Sequence, residues 1–202
     1  MTEIKFGTDG WRAIIAKDFT VDNVARVAEG TAKWLLTNYP INQSTNQPSV
    51  VVGYDTRFGG KLFAETVAKI LCNNSIKVFL STDFVSTPMV SLGTVNKKSS
   101  IGIIITASHN PPSYNGFKLK GGYGGPMLPE KVEEIEKLIP EINSIDLEKL
   151  SITELVGEGL IEYIDLETMY CDHVKANFDI DAIQKSGLRF TYDAMYGAGQ
   201  NV

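Results

Sequence analysis

The stretch Ile101-Gly102-Ile103-Ile104-Ile105-Thr106-Ala107-Ser108-His109-Asn110-Pro111-Pro112 decides the fold of this chain. Its first five residues are apolar and mostly β-branched, which predicts a buried strand. Pro111 and Pro112 prevent a helix from following directly, so the strand is expected to end in a rigid, exposed loop. Open α/β sheets bind their ligands beyond the carboxyl ends of their strands, and this loop is therefore the first place to look for a site.

Chemically active side chains are concentrated on that loop. Ser108 offers an exposed hydroxyl and is the candidate nucleophile, while His109 and Asn110 place an imidazole and an amide beside it. Lys118 adds a cation a few residues further on. A serine hydrolase is the obvious alternative. It is disfavoured because no Gly-x-Ser-x-Gly elbow surrounds Ser108, and because neighbours on a loop rarely reach the geometry of a nucleophile and its base.

Helices and strands alternate along the chain before this loop. Thr20 is a predicted N-cap for a helix that runs to about Leu36, and later apolar periodicity predicts further elements. The predicted strands are 50–52, 77–80, 101–105 and 116–120, and the other predicted helices lie around 62–71, from Thr87-Pro88 and from Pro129. Such alternation indicates βαβ units. We therefore expect an α/β fold, a three-layer α/β/α sandwich with a mostly parallel mixed sheet.

The pattern weakens after Glu141, where charged residues accumulate, and this suggests a domain boundary. We expect residues 1–145 to form the first domain and residues 146–187 to form a linker with two helices. Residues 188–202 then read as the first strand and turn of a second, similar domain that is truncated, since a single strand cannot form a sheet.

Composition excludes several classes of function. The 202 residues carry a net charge of −5 with a pI near 5.1, which argues against a nucleic-acid groove or a membrane-surface role. Lys97-Lys98 is the only pair of adjacent cations and is expected in a solvated turn. No apolar run is long enough to span a bilayer. The two cysteines and two histidines form no zinc-type pattern, and a reducing cytoplasm is the expected compartment.

Two further turns carry charged groups. The glycine-containing segment 7–12 places Asp9 and Arg12 on a tight turn, and their spacing alone favours a surface turn with a local ion pair. Asp55 and Arg57 directly follow the predicted strand at 50–52. Their simplest role is to pair with each other and hold their loop against the sheet.

Taken together, these segments resemble those of a known family. Thr106 to Pro111 resembles the phosphoserine signature of the α-D-phosphohexomutases, the phosphoglucomutase/phosphomannomutase family. Gly7–Arg12, Gly53–Arg57 and Asn115–Lys118 resemble three further family segments in the right order. Residues 188–199 resemble the opening strand and turn of the family's second domain.

The resemblance implies a phosphoryl-transfer mechanism centred on Ser108. The serine would carry a phosphate, donate it to a hexose phosphate, and recover a phosphate from the other end of the reoriented sugar. Arg12 and Lys118 would stabilise the charge on the transferring group, with Lys118 and His109 also moving protons. The residues expected to support the phosphate loop and the substrate are Thr8, Asp9, Asn110, Asp55 and Arg57.

The resemblance also implies the cofactors and the substrate. Mg²⁺ would bind an oxygen of the Ser108 phosphate and three aspartates expected beyond Val202, with hexose 1,6-bisphosphate as activator. The parent would interconvert hexose 1-phosphate and hexose 6-phosphate, most readily glucose. Phosphomannomutase, phosphoglucosamine mutase and a non-catalytic sugar-phosphate-binding module are the alternatives. The isolated chain is expected to be inactive, because the metal carboxylates and the substrate clamp would lie elsewhere; nucleic-acid and membrane partners are not expected.

Overall fold

A six-stranded mixed sheet covered by helices on both faces forms the body of the protein. The computed structural model describes residues 3–8, 10–41 and 47–202. The strands are β1 (Trp11–Ile14), β2 (Ser49–Tyr54), β3 (Lys77–Ser81), β4 (Ile101–Ile105), β5 (Tyr114–Gly121) and β6 (Ile161–Ile164). The helices are α1 (Val21–Asn38), α2 (Gly60–Asn73), α3 (Thr87–Asn96), α4 (Pro129–Glu136), α5 (Ile152–Gly157), α6 (Leu166–Asn177) and α7 (Ile180–Lys185).

The strand order in the sheet is β1-β5-β4-β2-β3-β6. The neighbours β4 and β2, β2 and β3, and β3 and β6 are parallel, whereas β5 is antiparallel to both β1 and β4. The carboxyl ends of β4, β2 and β3 therefore meet at one edge of the sheet, where open α/β sheets bind ligands. The loop that carries Ser108 follows β4 at that edge.

Alternate residues of the central strands face opposite layers, which explains their unbroken apolar sequences. Val50, Val52 and Ile103 pack into the core shared with α1 and α2, whereas Val51 and Ile104 pack into a second core beside α3 and α6. A parallel strand buried on both faces needs apolar residues at every position. The expected three-layer α/β/α sandwich with a mostly parallel mixed sheet is confirmed.

The structure departs from the predicted elements in several places. Strand β1 and helix α5 were not predicted, and Arg12, expected on a tight turn, lies in β1 opposite Gly116 of β5. Strand β6 was missed, and it extends the sheet by pairing with β3 inside the segment 146–187. Only its end residues Ile161 and Ile164 are buried, so its sequence shows neither alternation nor an apolar run. Residues 188–193, predicted as the first strand of a second domain, form no ladder with any described strand, and that assignment stays a prediction. The division into domains at 145 and 187 stays a prediction.

Smaller details complete the comparison with the sequence. Thr20 is the N-cap of α1, and its side chain accepts a hydrogen bond from the Asn23 amide at 3.2 Å. The N-cap of α3 is Ser86 rather than Thr87. The polar stretch 42–48, whose composition predicts a loop, lies mostly outside the described residues, since 42–46 are not among them. Within the described ranges, no helix combines the length and apolarity needed to cross a membrane.

Candidate active site

Ser108 stands at an exposed tip just beyond the buried strand β4. Ala107 is fully buried, whereas Ser108 and His109 are exposed. The backbone of Ser108 is left-handed, with φ of 55°, which is uncommon for a residue other than glycine. Its amide donates a hydrogen bond to the Thr106 hydroxyl at 3.1 Å, and the Asn110 amide donates to the Ala107 carbonyl at 3.0 Å. The turn thus fixes the serine backbone and leaves its hydroxyl open to solvent.

The guanidinium of Arg57 holds this loop from the neighbouring strand end. It donates hydrogen bonds to four main-chain carbonyls, those of Ser108, Asn110, Pro111 and Tyr114, at 2.9, 2.6, 2.8 and 2.9 Å respectively. Arginine suits this role because its planar fork presents several fixed donors at once. The Arg57 side chain is only 13 % exposed, and two of its four bonds, those to Asn110 and Tyr114, are partly buried.

Asp55 connects Arg57 to the turn of the serine. Its carboxylate lies 3.4 Å from the Arg57 Nε and accepts a hydrogen bond from the Thr106 hydroxyl. The same hydroxyl accepts from the Ser108 amide, so a continuous chain of contacts runs from Arg57 through Asp55 and Thr106 to the serine. The expected pairing of Asp55 with Arg57 is present, and it supports the loop. A fully satisfied polar network of this kind rigidifies its surroundings.

Arg12 reaches the same loop from the edge strand β1. Its Nη1 donates to the Asn110 Oδ1 at 2.7 Å. The register places Arg12 opposite Gly116 of β5. A Cβ at Gly116 would lie 2.5 Å from the Thr106 carbonyl oxygen and 3.1 Å from the Arg12 Cγ. The absence of a side chain at Gly116 is what lets Arg12 and the loop approach each other.

Lys118 lies on the same face of β5 as Gly116, two residues along. It is 4 % exposed and is aligned with Ile104 of β4, on the side of the sheet that α3 covers. A Cβ at Gly10 would lie 2.8 Å from the Lys118 Cγ, so the amino-terminal turn packs directly on this lysine. The fold therefore brings Arg12 and Lys118 together on one face beside the loop, although they are far apart in sequence.

A cleft of about 760 Å³ opens in front of Ser108. Its walls come from the serine loop, the loop after β2, the start of α3 and the residues 195–198. The walls include the side chains of Asp55, Arg57 and Asn110. Ser86 and Thr87 at the start of α3 also line it, and the amino end of a helix favours negative charge. The cleft is large enough for a sugar phosphate and combines an exposed hydroxyl with donors for an anion.

Several candidate residues have other surroundings. His109 is exposed and forms no hydrogen bond or ion pair within the described residues. Thr8 is exposed on the turn closed by the bridge between Gly7 and Gly10. Asp9 lies outside the described residues, as does its expected pairing with Arg12.

Sequence reasoning overlooked Thr106 as a site residue. A hydroxyl two residues before the turn is a typical hydrogen-bonding position, and this was the available signal. In the described part of the chain, no group of three or more His, Cys, Asp or Glu side chains could hold a metal ion.

Known proteins resemble this chain in sequence and in fold. Residues 3–146 match the family described as phosphoglucomutase/phosphomannomutase, alpha/beta/alpha domain I. A phosphoglucomutase of Staphylococcus saprophyticus is 35 % identical over 168 residues, which are 81 % of this chain and 29 % of that protein. A phosphoglucomutase of Staphylococcus aureus is 30 % identical over 207 residues, covering 97 % of this chain and 35 % of that protein. The chain thus spans about a third of the length of these curated relatives.

Solved structures of phosphomannomutase and phosphoglucomutase proteins also superpose on this chain. A protein assigned as a phosphomannomutase from Thermus thermophilus superposes with a TM-score of 0.77 at 36 % identity, covering 90 % of this chain and 38 % of that one. The Paramecium exocytosis-sensitive phosphoprotein parafusin, a phosphoglucomutase, also gives a TM-score of 0.77, at 18 % identity over 98 % of this chain and 40 % of that one. At 18 % identity, the similarity to parafusin shows the fold alone.

Proposed function

The chain belongs to the phosphoglucomutase/phosphomannomutase family, and from that premise we propose that it carries the phosphorylated serine of a hexose-phosphate mutase. The protein that contains it would interconvert hexose 1-phosphate and hexose 6-phosphate through a bisphosphate intermediate. One observation carries the proposal: Ser108 sits at an exposed, left-handed loop tip whose carbonyls are held by Arg57. A nucleophile that both accepts and donates a phosphoryl group needs such a fixed and accessible hydroxyl.

The reaction consists of two transfers at Ser108. In the first, the bond between phosphorus and the serine Oγ breaks while a bond to a sugar hydroxyl oxygen forms, and the hydroxyl proton leaves the sugar. In the second, the serine Oγ attacks the phosphorus at the other end of the sugar. The bond from that phosphorus to the sugar oxygen breaks, the sugar oxygen takes up a proton, and the phosphoserine is restored. The sugar must turn around between the two steps, and the open cleft provides room for it.

The cations beside the loop fit the electrostatic needs of these transfers. Phosphoryl transfer depends mostly on positioning and on neutralising the charge of the equatorial oxygens. Arg12 is oriented by Asn110, and Lys118 is held within the sheet. We assign charge stabilisation to both of them. His109 is exposed beside Ser108 and is assigned, with Lys118, to moving protons to and from sugar hydroxyls.

Magnesium is part of the proposal only through Ser108. The described residues offer no cluster of metal ligands, and the Asp55 carboxylate is engaged by Arg57 and Thr106. A phosphate on Ser108 would be the one ligand that these residues supply. The remaining oxygen ligands would come from other parts of the protein that contains this chain. Bound Mg²⁺ would neutralise charge on the phosphoryl group.

Glucose is the proposed sugar, since the two curated relatives above are phosphoglucomutases. Mannose and glucosamine phosphates are the alternatives within the family. A reducing cytoplasm is the proposed compartment, because the two cysteines form no disulfide. A non-catalytic sugar-phosphate-binding module is the alternative of another class. The exposed Ser108, whose carbonyl is bound by Arg57, disfavours this binding module, because a binding site does not require a phosphorylatable hydroxyl there.

The decisive experiment is a mutase assay on a protein of the relatives' length that contains this chain. Glucose, mannose and glucosamine 1-phosphates are supplied with Mg²⁺ and a trace of the matching bisphosphate. Mass spectrometry of the peptide around Ser108 measures its phosphate. We expect turnover of glucose 1-phosphate that Ser108→Ala abolishes, and phosphate on Ser108 in the wild type. The 202-residue chain alone should show negligible turnover.

Three outcomes discriminate between the hypotheses. Full activity of the Ser108→Ala variant would mean that another group is the nucleophile. A folded protein without turnover on any sugar and without phosphate on Ser108 would favour the binding module. A preference for mannose or glucosamine phosphate would keep the mechanism and correct the sugar.

A further inference from the structure

A second cleft lies at the edge of the sheet opposite Ser108. Its volume is about 610 Å³. It lies at the edge of the sheet where β2 and β3 begin, beside the residues that precede β4 and those that follow β5. We call it the lysine cleft; its lining includes Tyr39, Ser49, Lys77, Phe79, Lys97, Lys98, Ser99, Ser100 and Gly122. Strand β4 separates it from the serine loop, which places the two on the order of 16 Å apart for five residues of strand. It is therefore separate from the candidate active site.

Positive charge dominates this cleft in a chain that is acidic overall. Lys77 and Lys97 each lie 3.0 Å from the Glu162 carboxylate, which they share. Lys98 forms no ion pair with any carboxylate of the described residues. The cleft thus carries three lysines, of which two share the Glu162 carboxylate, whose pKa is lowered by the hydrogen bonds from Lys97 and Lys77. The sequence alone indicated a solvated Lys97-Lys98 turn, but the fold adds Lys77 from another strand.

Two of these ammonium groups are already held in place. The Nζ atoms of Lys77 and Lys97 lie 5.0 and 4.7 Å from the centroid of the Phe79 ring. Contact with the ring and with Glu162 restricts both side chains, so less conformational entropy remains to be lost when a ligand binds. Lys98 stands at the turn after α3 with φ of 51°, a position at which helices most often carry glycine.

Hydroxyl groups complete the cleft. Ser49 and Ser99 are hydrogen-bonded to each other through their Oγ atoms at 3.2 Å, and Ser99 is only 3 % exposed. One of the two hydroxyl protons is used in that bond, which leaves the other for a ligand. Ser100 and Tyr39 also line the cleft. Fixed ammonium groups and hydroxyl donors around a cavity are suited to an oxyanion with several acceptor oxygens.

We propose that the lysine cleft binds a phosphorylated small molecule through its dianionic phosphoryl group. The charge selects an anion, and the hydroxyl donors favour a group with several oxygens over a halide. The volume leaves room for an attached sugar or nucleoside beside Tyr39. The site would act as an effector or second-ligand site, because no nucleophile of the proposed reaction lies there.

The test is a titration of the 202-residue chain followed by the amide signals of a ¹⁵N-labelled sample. Inorganic phosphate, glucose 6-phosphate and ATP are added in separate series at constant ionic strength, balanced with chloride. We expect saturable shifts at the amides of Lys98, Ser99, Ser100 and Gly122. The ligand that saturates at the lowest concentration identifies the source of the phosphoryl group. Shifts confined to residues 106–110 would place all binding at the serine loop and would overturn the proposal.

Matched variants decide between a site and a general attraction of anions. Lys98→Gln and Lys77→Gln remove one charge each from the cleft, and each should weaken binding about fivefold, as expected for one exposed ion pair. Lys137→Gln removes the same charge from the end of α4 and should leave the affinity unchanged. Overlapping amide spectra of the free proteins establish that each variant is folded.

The proposal is overturned if the shifts near Lys98 grow linearly without saturation, or if chloride alone produces them. It is also overturned if both cleft variants bind as the wild type does, or if Lys137→Gln weakens binding equally. None of these outcomes bears on the proposed mutase reaction, which is judged by turnover and by phosphate on Ser108.

Discussion

Replacing Arg57 by alanine should loosen the serine loop and destabilise the protein. The variant loses four hydrogen bonds to main-chain carbonyls. The bonds to the carbonyls of Ser108 and Pro111 are exposed, so water replaces those two at little cost. The bonds to Asn110 and Tyr114 are partly buried, and a charge-assisted hydrogen bond to each contributes about 1.5 kcal/mol. The free energy of unfolding should therefore fall by about 3 kcal/mol, more if Asp55 is left without compensation.

Urea titration followed by circular dichroism measures this loss, and amide hydrogen exchange locates it. We expect faster exchange at the amides of Asn110 and Tyr114, which donate to the loop carbonyls of Ala107 and Pro111. Arg57→Lys keeps the charge but lacks the fork, so it should lose about half as much stability. Arg189→Ala makes the same change at an exposed residue and is the matched control.

The reasoning would be refuted by a loss of less than about 1 kcal/mol in Arg57→Ala, or by full stability in Arg57→Lys. Unchanged exchange at the loop amides would equally contradict it, because the clamp would then not be what orders the turn. An Arg189→Ala variant as unstable as Arg57→Ala would point to a general effect of lost arginine.

Three further predictions test the packing, the electrostatics and the thiols. Gly116→Ala should lower the free energy of unfolding by about 1–3 kcal/mol in urea titration. The added Cβ would lie 2.5 Å from the Thr106 carbonyl oxygen, which belongs to the backbone and cannot rotate away. Wild-type stability of this variant would contradict the close contact. Hydrogen bonds from two lysines lower the pKa of Glu162. The stabilising contribution of Glu162 is therefore present above the unfolded carboxyl pKa of about 4.3 and is lost as the pH falls through the lower folded pKa. Glu162→Gln should accordingly lose less free energy of unfolding than the wild type on acidification. An unchanged pH profile would show that the ion pairs are not maintained in solution. Burial raises the pKa of Cys72 to about 12, whereas Cys171 is partly exposed. Iodoacetamide should therefore label Cys171 first in the native protein, as measured by peptide mass spectrometry. Equal labelling of both thiols would mean that the core around Cys72 opens readily.

The sequence predicted much of the fold because its signals are local. The run 101–105 is strand β4 with the same bounds, and Thr20 caps α1 as its hydroxyl suggested. Strand β6 was missed because an edge strand with two buried residues leaves no periodic pattern. The segment near 188–193 shows the converse, since a strand-like composition forms no ladder without a neighbouring strand.

The residues of the candidate site were proposed from sequence motifs, whereas the contacts between them come from the structure. Ser108 and Asp55 were identified from motifs, but the role of Thr106 as the link between Asp55 and the serine turn was not. Arg57 was expected to pair with Asp55, which it does, yet its four carbonyl contacts are its larger contribution. A guanidinium's partners depend on which loops the sheet brings together, and no spacing in the sequence encodes that.

Local chemistry therefore determined the elements of this protein, and the tertiary structure decided how they act together. The apolar run, the prolines and Ser108 define a strand with an exposed loop because steric and hydrophobic preferences operate over a few residues. Only the strand order brings Arg12 to Asn110, 98 residues away, and Lys77 to Lys97 at the opposite edge. Both groupings depend on the register of paired strands, which the burial of the whole sheet fixes and which no short segment determines alone.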